Sequence, residues 1–213
     1  MPLASGLGSS AASSVAAAVA VNELCSGGLS RQALVECALE GEKAASGTTH
    51  ADNVAPSLLG GIVLIRSYAP LELVSLPVPP ALRIVVIYPH IQVQTAQARQ
   101  RVTERRFEIT QVVTNLGNLA ALVCALHSGD LELLGRSIND ALVEPIRAPL
   151  VPGFAAVKDA ALNVGALGCS ISGSGPSVFA FANDDDRAAD VANAMQGAFR
   201  QSGFESDRYV GSV

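Results

Sequence analysis

The order of apolar and polar residues predicts two helices near the start of the chain. A glycine- and serine-rich turn leads into an alanine-rich stretch that predicts a helix, with Ser9 or Ser10 as its N-cap. The pair Gly27-Gly28 is expected to end this helix. Ser30 then starts a second predicted helix, in which small and apolar residues recur along one side.

A polar loop and two apolar runs follow these helices. The loop covers Gly47–Asn53, and the run Ile62–Ile65 after it predicts a strand. Prolines then predict a loop or a domain border between residues 70 and 80. The continuous apolar run Arg83–Tyr88 lies between prolines, which predicts a buried strand.

The rest of the pattern predicts an α+β domain. Apolar residues at helical spacing predict one long core helix over Val102–Leu126. The further predicted elements are helices over Leu131–Val143 and Pro152–Val164, two strands joined by a glycine turn within Cys169–Phe181, a helix over Asp185–Gln201 and a last strand over Arg208–Val213. The resulting order after Pro80, β-α-α-α-β-β-α-β, is typical of a split βαβ sandwich.

Composition and charge limit the classes of partner. The 213 residues carry 14 Lys and Arg against 19 Asp and Glu, a net charge of −5, without a basic run, so we expect no nucleic-acid partner. The apolar stretch after the opening loop contains Asn22 and Glu23 and is too short to cross a bilayer, so we expect no membrane association. Four cysteines without C-x-x-C spacing predict buried thiols in a reducing cytoplasm.

The opening loop Gly6–Ala11 has the G-x-G-x-x-A spacing of dinucleotide-binding loops, but not their context. Such a loop needs a strand before it, and the residues before Gly6 leave almost no room for one. A Walker loop is excluded because it needs a lysine, and the first lysine is Lys43. Two interpretations stay open. The loop is either a tight turn with a serine cap and no ligand, or a glycine turn that holds phosphate at a helix N-terminus.

Two motifs together resemble those of the GHMP kinases, the superfamily of galactokinases and of homoserine, mevalonate and phosphomevalonate kinases. Residues 2–13, P-L-A-S-G-L-G-S-S-A-A-S, resemble its phosphate-binding motif, and residues 171–177, I-S-G-S-G-P-S, resemble its C-terminal glycine-rich motif. Three further stretches, residues 42–56, 95–99 and 144–147, resemble the homoserine kinase family within that superfamily. The resemblance covers essentially the whole chain.

The resemblance implies an α+β fold with two domains. Residues 1–75 would be the C-terminal part of the ATP-binding domain, the remainder of a ribosomal-protein-S5-like fold, and residues 76–213 a ferredoxin-like C-terminal domain. Homoserine kinases carry more sequence before the loop, so the resemblance also implies that an N-terminal segment is missing. It further implies a cytoplasmic enzyme of threonine biosynthesis that uses ATP and Mg²⁺, converts L-homoserine into O-phospho-L-homoserine and forms a homodimer.

The same resemblance implies which residues bind the nucleotide and the metal. The ATP phosphates would bind two glycine-rich segments, formed by Pro2, Leu3, Ala4, Ser5, Gly6, Leu7, Gly8, Ser9, Ser10 and Ala11 and by Ser172, Gly173 and Ser174. Ser10 and Glu42 would bind the Mg²⁺, which fits the preference of that ion for oxygen ligands. The alternative for Glu42 is an ordinary exposed helix glutamate.

The resemblance also implies the substrate contacts, which are His50, Asn53, Thr95, Arg99 and Arg147, and the catalytic positions, which are Asp52, Asn53 and Arg147. Arginine suits an amino-acid carboxylate because its planar guanidinium pairs with it bidentately. Asp52 matches an aspartate that accepts the alcohol's proton in related kinases, although stabilisation by metal and arginine needs no such base. The alternatives are a helix N-cap for Asp52 or Asn53 and solvated surface positions for the arginines.

Two other functions stay open at this stage. The first is a GHMP kinase for another small alcohol, against which Arg99 and Arg147 argue, because an uncharged sugar offers them no carboxylate. The second is a non-catalytic fragment of the kinase, whose incomplete N-terminal half would not bind adenine.

Overall fold

The chain divides into two units, which are described separately. The computed structural model describes residue 2 and residues 5–91 and 101–213. Unit 1 spans Leu7–Pro77, and unit 2 spans Val78–Val213 and also contains Ser5 and Gly6. The chain therefore passes from unit 2 to unit 1 within the opening loop.

Unit 1 consists of three helices and an antiparallel strand pair. Its elements are helix α1 (Ser9–Leu24), helix α2 (Arg31–Ser46), helix α3 (Ala51–Leu59), strand β1 (Ile62–Tyr68) and strand β2 (Leu71–Leu76). Small and β-branched residues make up most of its core: Ala11, Val15, Val35, Ala38, Leu39, Ala51, Val54 and Ala55. Helices α1 and α2 also approach closely at Gly41 of α2, where a Cβ would lie 3.2 Å from Ser14 Oγ of α1.

The starts of the first two helices differ in how they are capped. Ser30 caps α2 as predicted, because its side chain accepts a hydrogen bond from the N–H of Ala33. The N-cap of α1 is Gly8, and no side chain caps it. The prediction that Ser9 or Ser10 caps α1 is wrong, because the left-handed turn at Gly8 makes both serines helical.

The segment between α2 and β2 departs from the prediction at two points. Helix α3 begins at Ala51 with His50 as N-cap, so the interpretation of Asp52 or Asn53 as an N-cap is wrong. The prolines predicted a loop or a domain border over residues 70–80. The loop interpretation is wrong, because residues 71–76 form β2, paired antiparallel with β1, whereas the two units divide between Pro77 and Val78. The strand forms because the prolines flank it and do not interrupt it.

Unit 2 contains a four-stranded antiparallel sheet in the order β4-β5-β3-β6. Its elements are strand β3 (Arg83–Pro89), helices α4 (Ile109–Ser128), α5 (Leu131–Ser137) and α6 (Glu144–Arg147), a 3-10 turn (Ala148–Leu150), helix α7 (Phe154–Asn163), strands β4 (Gly168–Ile171) and β5 (Val178–Ala182), helix α8 (Asp185–Gln201) and strand β6 (Ser206–Ser212). With β3 central and β6 and β5 beside it, this order is that of a split βαβ fold, as predicted. Phe199 and Met195 of α8 and Val157 of α7 are fully buried against the sheet.

The helices between β3 and β4 differ from their predicted bounds. The predicted helix over Val102–Leu126 begins only at Ile109, where Glu108 and Gln111 form a capping box. It is also not a core helix, because Ile109, Val113, Leu116 and Leu119 are exposed and burial is confined to its last turns. Helix α5 stops at Ser137 instead of Val143, since Asp140 binds the N–H groups of the following residues in a turn.

The structure also bears on the expectations for the cysteines and for membrane association. Three of the four cysteines, Cys25, Cys37 and Cys124, are exposed, so the prediction of four buried thiols holds only for Cys169. Within the described part of the chain, only α4 meets the length and composition of a membrane-spanning helix, and a single helix of this kind is weak evidence.

Candidate functional site

The first part of the candidate site lies at the start of α1 in unit 1. Gly8 has a φ of 71°, which favours glycine, and a Cβ there would also crowd the Asn53 side chain, at 3.0 Å from Oδ1. The first N–H groups of α1 have no side-chain cap. A helix start of this kind presents unpaired donors and the positive end of the helix dipole, which together can bind an anion.

A buried carboxylate lies directly behind this helix start. Glu42 is 2% exposed, and its Oε1 accepts a hydrogen bond from Ser10 Oγ at 3.1 Å. His50 Nδ1 lies 2.9 Å from the same oxygen, and His50 Nε2 lies 3.1 Å from Thr48 Oγ1. The interpretation of Glu42 as an exposed helix residue is therefore wrong. A buried carboxylate is stable only with such partners or with a cation.

The oxygen groups of Glu42 and Ser10 suit a hard cation such as Mg²⁺. Among the described residues there is no group of three or more His, Cys, Asp or Glu side chains that could hold a metal ion. Mg²⁺ at phosphoryl-transfer sites generally takes only one or two protein oxygens and shares the substrate phosphates, so a carboxylate and a hydroxyl are the ligand types that such an ion would need.

Tyr68 lies beside Asp52 in unit 1, and no sequence pattern pointed to it. Burial raises the pKa of the Tyr68 phenol, and the neighbouring Asp52 carboxylate raises it further, while hydrogen bonds with the backbone of Ala51 and Asp52 lower it. The phenol thus stays neutral at physiological pH and lies at the first turn of α3. Asp52 is exposed in that turn, where a substrate can reach it.

The second part of the candidate site lies in unit 2, where Ser5 and Gly6 pack against the glycine turn 172–177. Ser172 Oγ donates to the Gly6 carbonyl at 2.9 Å, and the N–H of Ser177 donates to the Ser5 carbonyl at 3.1 Å. A Cβ on Gly6 would lie 2.4 Å from the Ser172 carbonyl oxygen, so only glycine fits here. The two glycine-rich motifs, far apart in sequence, thus meet in unit 2.

Arg147 reaches the same turn. It ends α6 and is half-buried, and its Nη1 donates to the Gly173 carbonyl at 2.5 Å. The interpretation of Arg147 as a solvated surface arginine is therefore wrong. A guanidinium has five donors, and the one that reaches Gly173 holds the Arg147 side chain at the glycine turn.

Ten of the twenty predicted site residues form two groups, one in each unit. Unit 1 brings together Gly8, Ser10, Glu42, His50 and Asn53, and unit 2 brings together Ser5, Gly6, Ser172, Gly173 and Arg147. Four predicted site residues, Leu3, Ala4, Thr95 and Arg99, lie outside the described residues.

Two family models and several known proteins match this chain. The family model described as the GHMP kinases N-terminal domain matches residues 1–61, and the model of the GHMP kinases C-terminal domain matches residues 121–201. A homoserine kinase of Chlorobium phaeobacteroides is 48% identical over 215 aligned residues, which cover 100% of this chain and 67% of the relative. A homoserine kinase of Xylella fastidiosa is 43% identical over 99% of this chain and 64% of its own length. The chain thus spans about two thirds of the length of these relatives.

Solved structures show the same similarity in three dimensions. The crystal structure of a homoserine kinase from Cytophaga hutchinsonii superposes with a TM-score of 0.97 at 49% identity, covering 100% of this chain and 67% of that one. An L. major mevalonate kinase in complex with R-mevalonate superposes with a TM-score of 0.78 at 21% identity, covering 96% of this chain and 65% of that one, and so shares the fold alone.

Proposed function

Because this chain belongs to the homoserine kinase family of the GHMP kinases, we propose that it transfers the γ-phosphate of ATP to the hydroxyl of L-homoserine. The product would be O-phospho-L-homoserine, an intermediate of threonine biosynthesis. One observation in the structure carries the proposal: a buried carboxylate, Glu42, is hydrogen-bonded to Ser10 at an uncapped helix start. Phosphoryl transfer needs this combination of anion-binding donors and a metal-binding carboxylate.

The ATP phosphates are proposed to bind the opening loop, residues 2–11, and the second glycine segment, residues 172–174. The support is the uncapped start of α1 after Gly8 and the close packing of Gly6 on the second segment. Backbone N–H groups can approach phosphate oxygens only where side chains are absent, which explains the glycines at Gly6 and Gly8.

Mg²⁺ is proposed to bind Glu42 and Ser10. When bound, the ion neutralises charge on the ATP phosphates. Ser10 already donates to Glu42 Oε1, and His50 lies beside the same oxygen. These partners fix the carboxylate in one orientation, so it needs little reorganisation to bind a cation.

L-Homoserine is proposed to bind through its carboxylate to Arg147 and Arg99, beside Thr95, and through polar contacts to His50 and Asn53. The hydrogen bond to Gly173 holds the Arg147 guanidinium in place before the substrate binds, which lowers the entropic cost of binding. Asn53 lies against Gly8, so an alcohol bound by Asn53 would lie beside the phosphates that are proposed to bind the opening loop. Catalysis here depends on positioning and charge stabilisation, and Asp52 is proposed to accept the proton of the alcohol.

The domain bounds, the cellular location and the oligomeric state are proposals as well. Residues 1–75 are proposed as part of the ATP-binding domain and residues 76–213 as the C-terminal domain, in a cytoplasmic enzyme. A homodimer is proposed on the family likeness alone.

The test is a coupled assay of ADP release by the 213-residue chain with ATP and Mg²⁺, comparing L-homoserine with mevalonate and galactose. We expect turnover with L-homoserine only. In Arg147→Lys the KM for L-homoserine should rise about tenfold or more, because lysine cannot form the bidentate pair. Arg136→Lys, a change at an exposed arginine of α5, is the matched control. Absence of turnover with L-homoserine would refute the proposal, and turnover with another alcohol would identify a different GHMP kinase.

A further inference from the structure

Glu144 has no part in the function proposed above, yet both of its carboxylate oxygens are engaged. Lys158 Nζ lies 2.5 Å from Oε1, and Ser170 Oγ donates to Oε2 at 2.6 Å. The Glu144 side chain is 13% exposed. Lys158 belongs to α7 and Ser170 to β4, so this one carboxylate connects α6 to two other elements of unit 2.

These contacts matter because α6 has only four residues. A helix of one turn is not stable by itself, so its orientation depends on its tertiary contacts. The backbone N–H of Glu144 also donates to Asp140 Oδ2 at 3.2 Å, which fixes the start of the turn. Lys158 lies 5.8 Å from the ring centre of Phe154, a cation–π contact that helps to hold its ammonium group.

Glu144 and Arg147 are spaced i, i+3 in α6 and connect it twice to the same segment. Residues at this spacing lie next to each other on a helical turn. Glu144 binds Ser170 in β4, and Arg147 binds the carbonyl of Gly173 in the turn that follows β4. A shift of α6 along this segment would therefore break both contacts.

We infer that Glu144 is a positioning residue for L-homoserine binding, which acts by holding α6 so that Arg147 stays at the glycine turn. The inference rests on the proposed function, because it takes Arg147 as a ligand of the substrate carboxylate. Lys158 neutralises the charge of Glu144, so the Glu144 carboxylate does not repel the carboxylate of L-homoserine when it binds Arg147.

The test compares Glu144→Ala and Glu144→Gln with wild type and with Glu132→Ala, a control at an exposed glutamate of α5. In Glu144→Ala the KM for L-homoserine should rise about tenfold, because small displacements of a binding group cost large factors in affinity. The KM for ATP should stay within about twofold, a difference that general loss of structure would not produce. Glu144→Gln keeps the size and an acceptor for Ser170 but loses the charge. Its KM for L-homoserine should therefore lie between those of wild type and Glu144→Ala.

A second readout does not depend on turnover. Phenylglyoxal modifies accessible arginines, and peptide mass spectrometry gives the rate at Arg147 with Arg136 as an internal reference. Release of α6 in Glu144→Ala should raise the Arg147 rate several-fold relative to Arg136. If circular dichroism shows that Glu144→Ala does not fold, the KM for L-homoserine and the Arg147 rate of Glu144→Gln test the inference instead.

The outcomes separate the two ideas. If wild type does not phosphorylate L-homoserine, the proposed function fails, and the Arg147 rates still show whether Glu144 holds the arginine. If wild type is active and the Glu144 variants leave both the KM for L-homoserine and the Arg147 rate unchanged, the inference fails and the proposed function stands.

Discussion

The packing of Gly6 against the second glycine turn leads to a quantitative prediction about stability. In Gly6→Ala the new Cβ would lie 2.4 Å from the Ser172 carbonyl oxygen and 2.8 Å from that of Gly175. Backbone atoms cannot turn away as a flexible side chain would, so the loop or the turn must shift. The φ of 78° at Gly6 adds strain for any residue with a Cβ.

The two effects can be estimated separately. A left-handed conformation costs an alanine about 1–2 kcal/mol, and overpacking a close contact costs about 1–3 kcal/mol. The expected loss for Gly6→Ala is therefore about 2–5 kcal/mol in the free energy of unfolding. Gly203→Ala is the matched control in unit 2, because Gly203 has a φ of 89° but a Cβ there would meet no described atom within 4 Å. Its cost should be the conformational part alone, about 1–2 kcal/mol.

The assay is urea unfolding followed by far-ultraviolet circular dichroism, since the chain has no tryptophan for fluorescence. For a chain of this size, each kcal/mol lowers Tm by about 2–4 °C, so thermal unfolding provides a second measurement. ATP affinity should fall in Gly6→Ala and not in Gly203→Ala. If the two variants lose the same stability, the close approach of the two glycine segments contributes nothing, and the reasoning is refuted.

Three further predictions concern charged and reactive groups. Glu42→Gln should raise the Mg²⁺ concentration for half-maximal activity roughly tenfold or more, measured by Mg²⁺ titration; an unchanged requirement would exclude Glu42 as a metal ligand. Burial raises the pKa of the Cys169 thiol to about 12, so at pH 8 Ellman's reagent should modify the three exposed cysteines of the native protein and the fourth only after unfolding. Arg83 holds the pKa of Asp185 below its usual range, so this pair stabilises the fold above the pKa of an unfolded aspartate and ceases to do so as pH falls through the lowered value. Asp185→Asn should therefore lower Tm more at pH 7 than at about pH 3, and an equal loss at both pH values would contradict this assignment.

Local signals were sufficient where neighbouring residues decide the structure. The bounds of α8 match the predicted Asp185–Gln201, because Asp184 caps its N-terminus and the apolar residues keep one helical face. The split βαβ order followed from the sequence of predicted elements, and the sheet has that topology. Family motifs identified the two glycine segments, but periodicity alone did not distinguish a phosphate loop from a capped turn.

Predictions failed where distant residues decide. Glu42 has the local sequence of an exposed helix glutamate, yet α1 and His50 enclose it. Helix α4 has the apolar spacing of a core helix, yet most of that face is exposed, since spacing gives the direction of a face and not what covers it. No pattern singled out Tyr68, and the resemblance of residues 144–147 gave Glu144 no role, because the roles of both depend on contacts with residues that are remote in the chain or on another element.

The sequence by itself determined most of the elements, their order and the presence of two glycine-rich loops, because caps, glycines and apolar periodicity act over a few residues. Only the tertiary structure decided which side chains share a site. It enclosed Glu42 behind Ser10, packed Gly6 on the turn at Gly173 and connected Arg147 to that turn. These are contacts between residues far apart in the chain, and their geometry follows from how helices and strands pack, which no local pattern encodes.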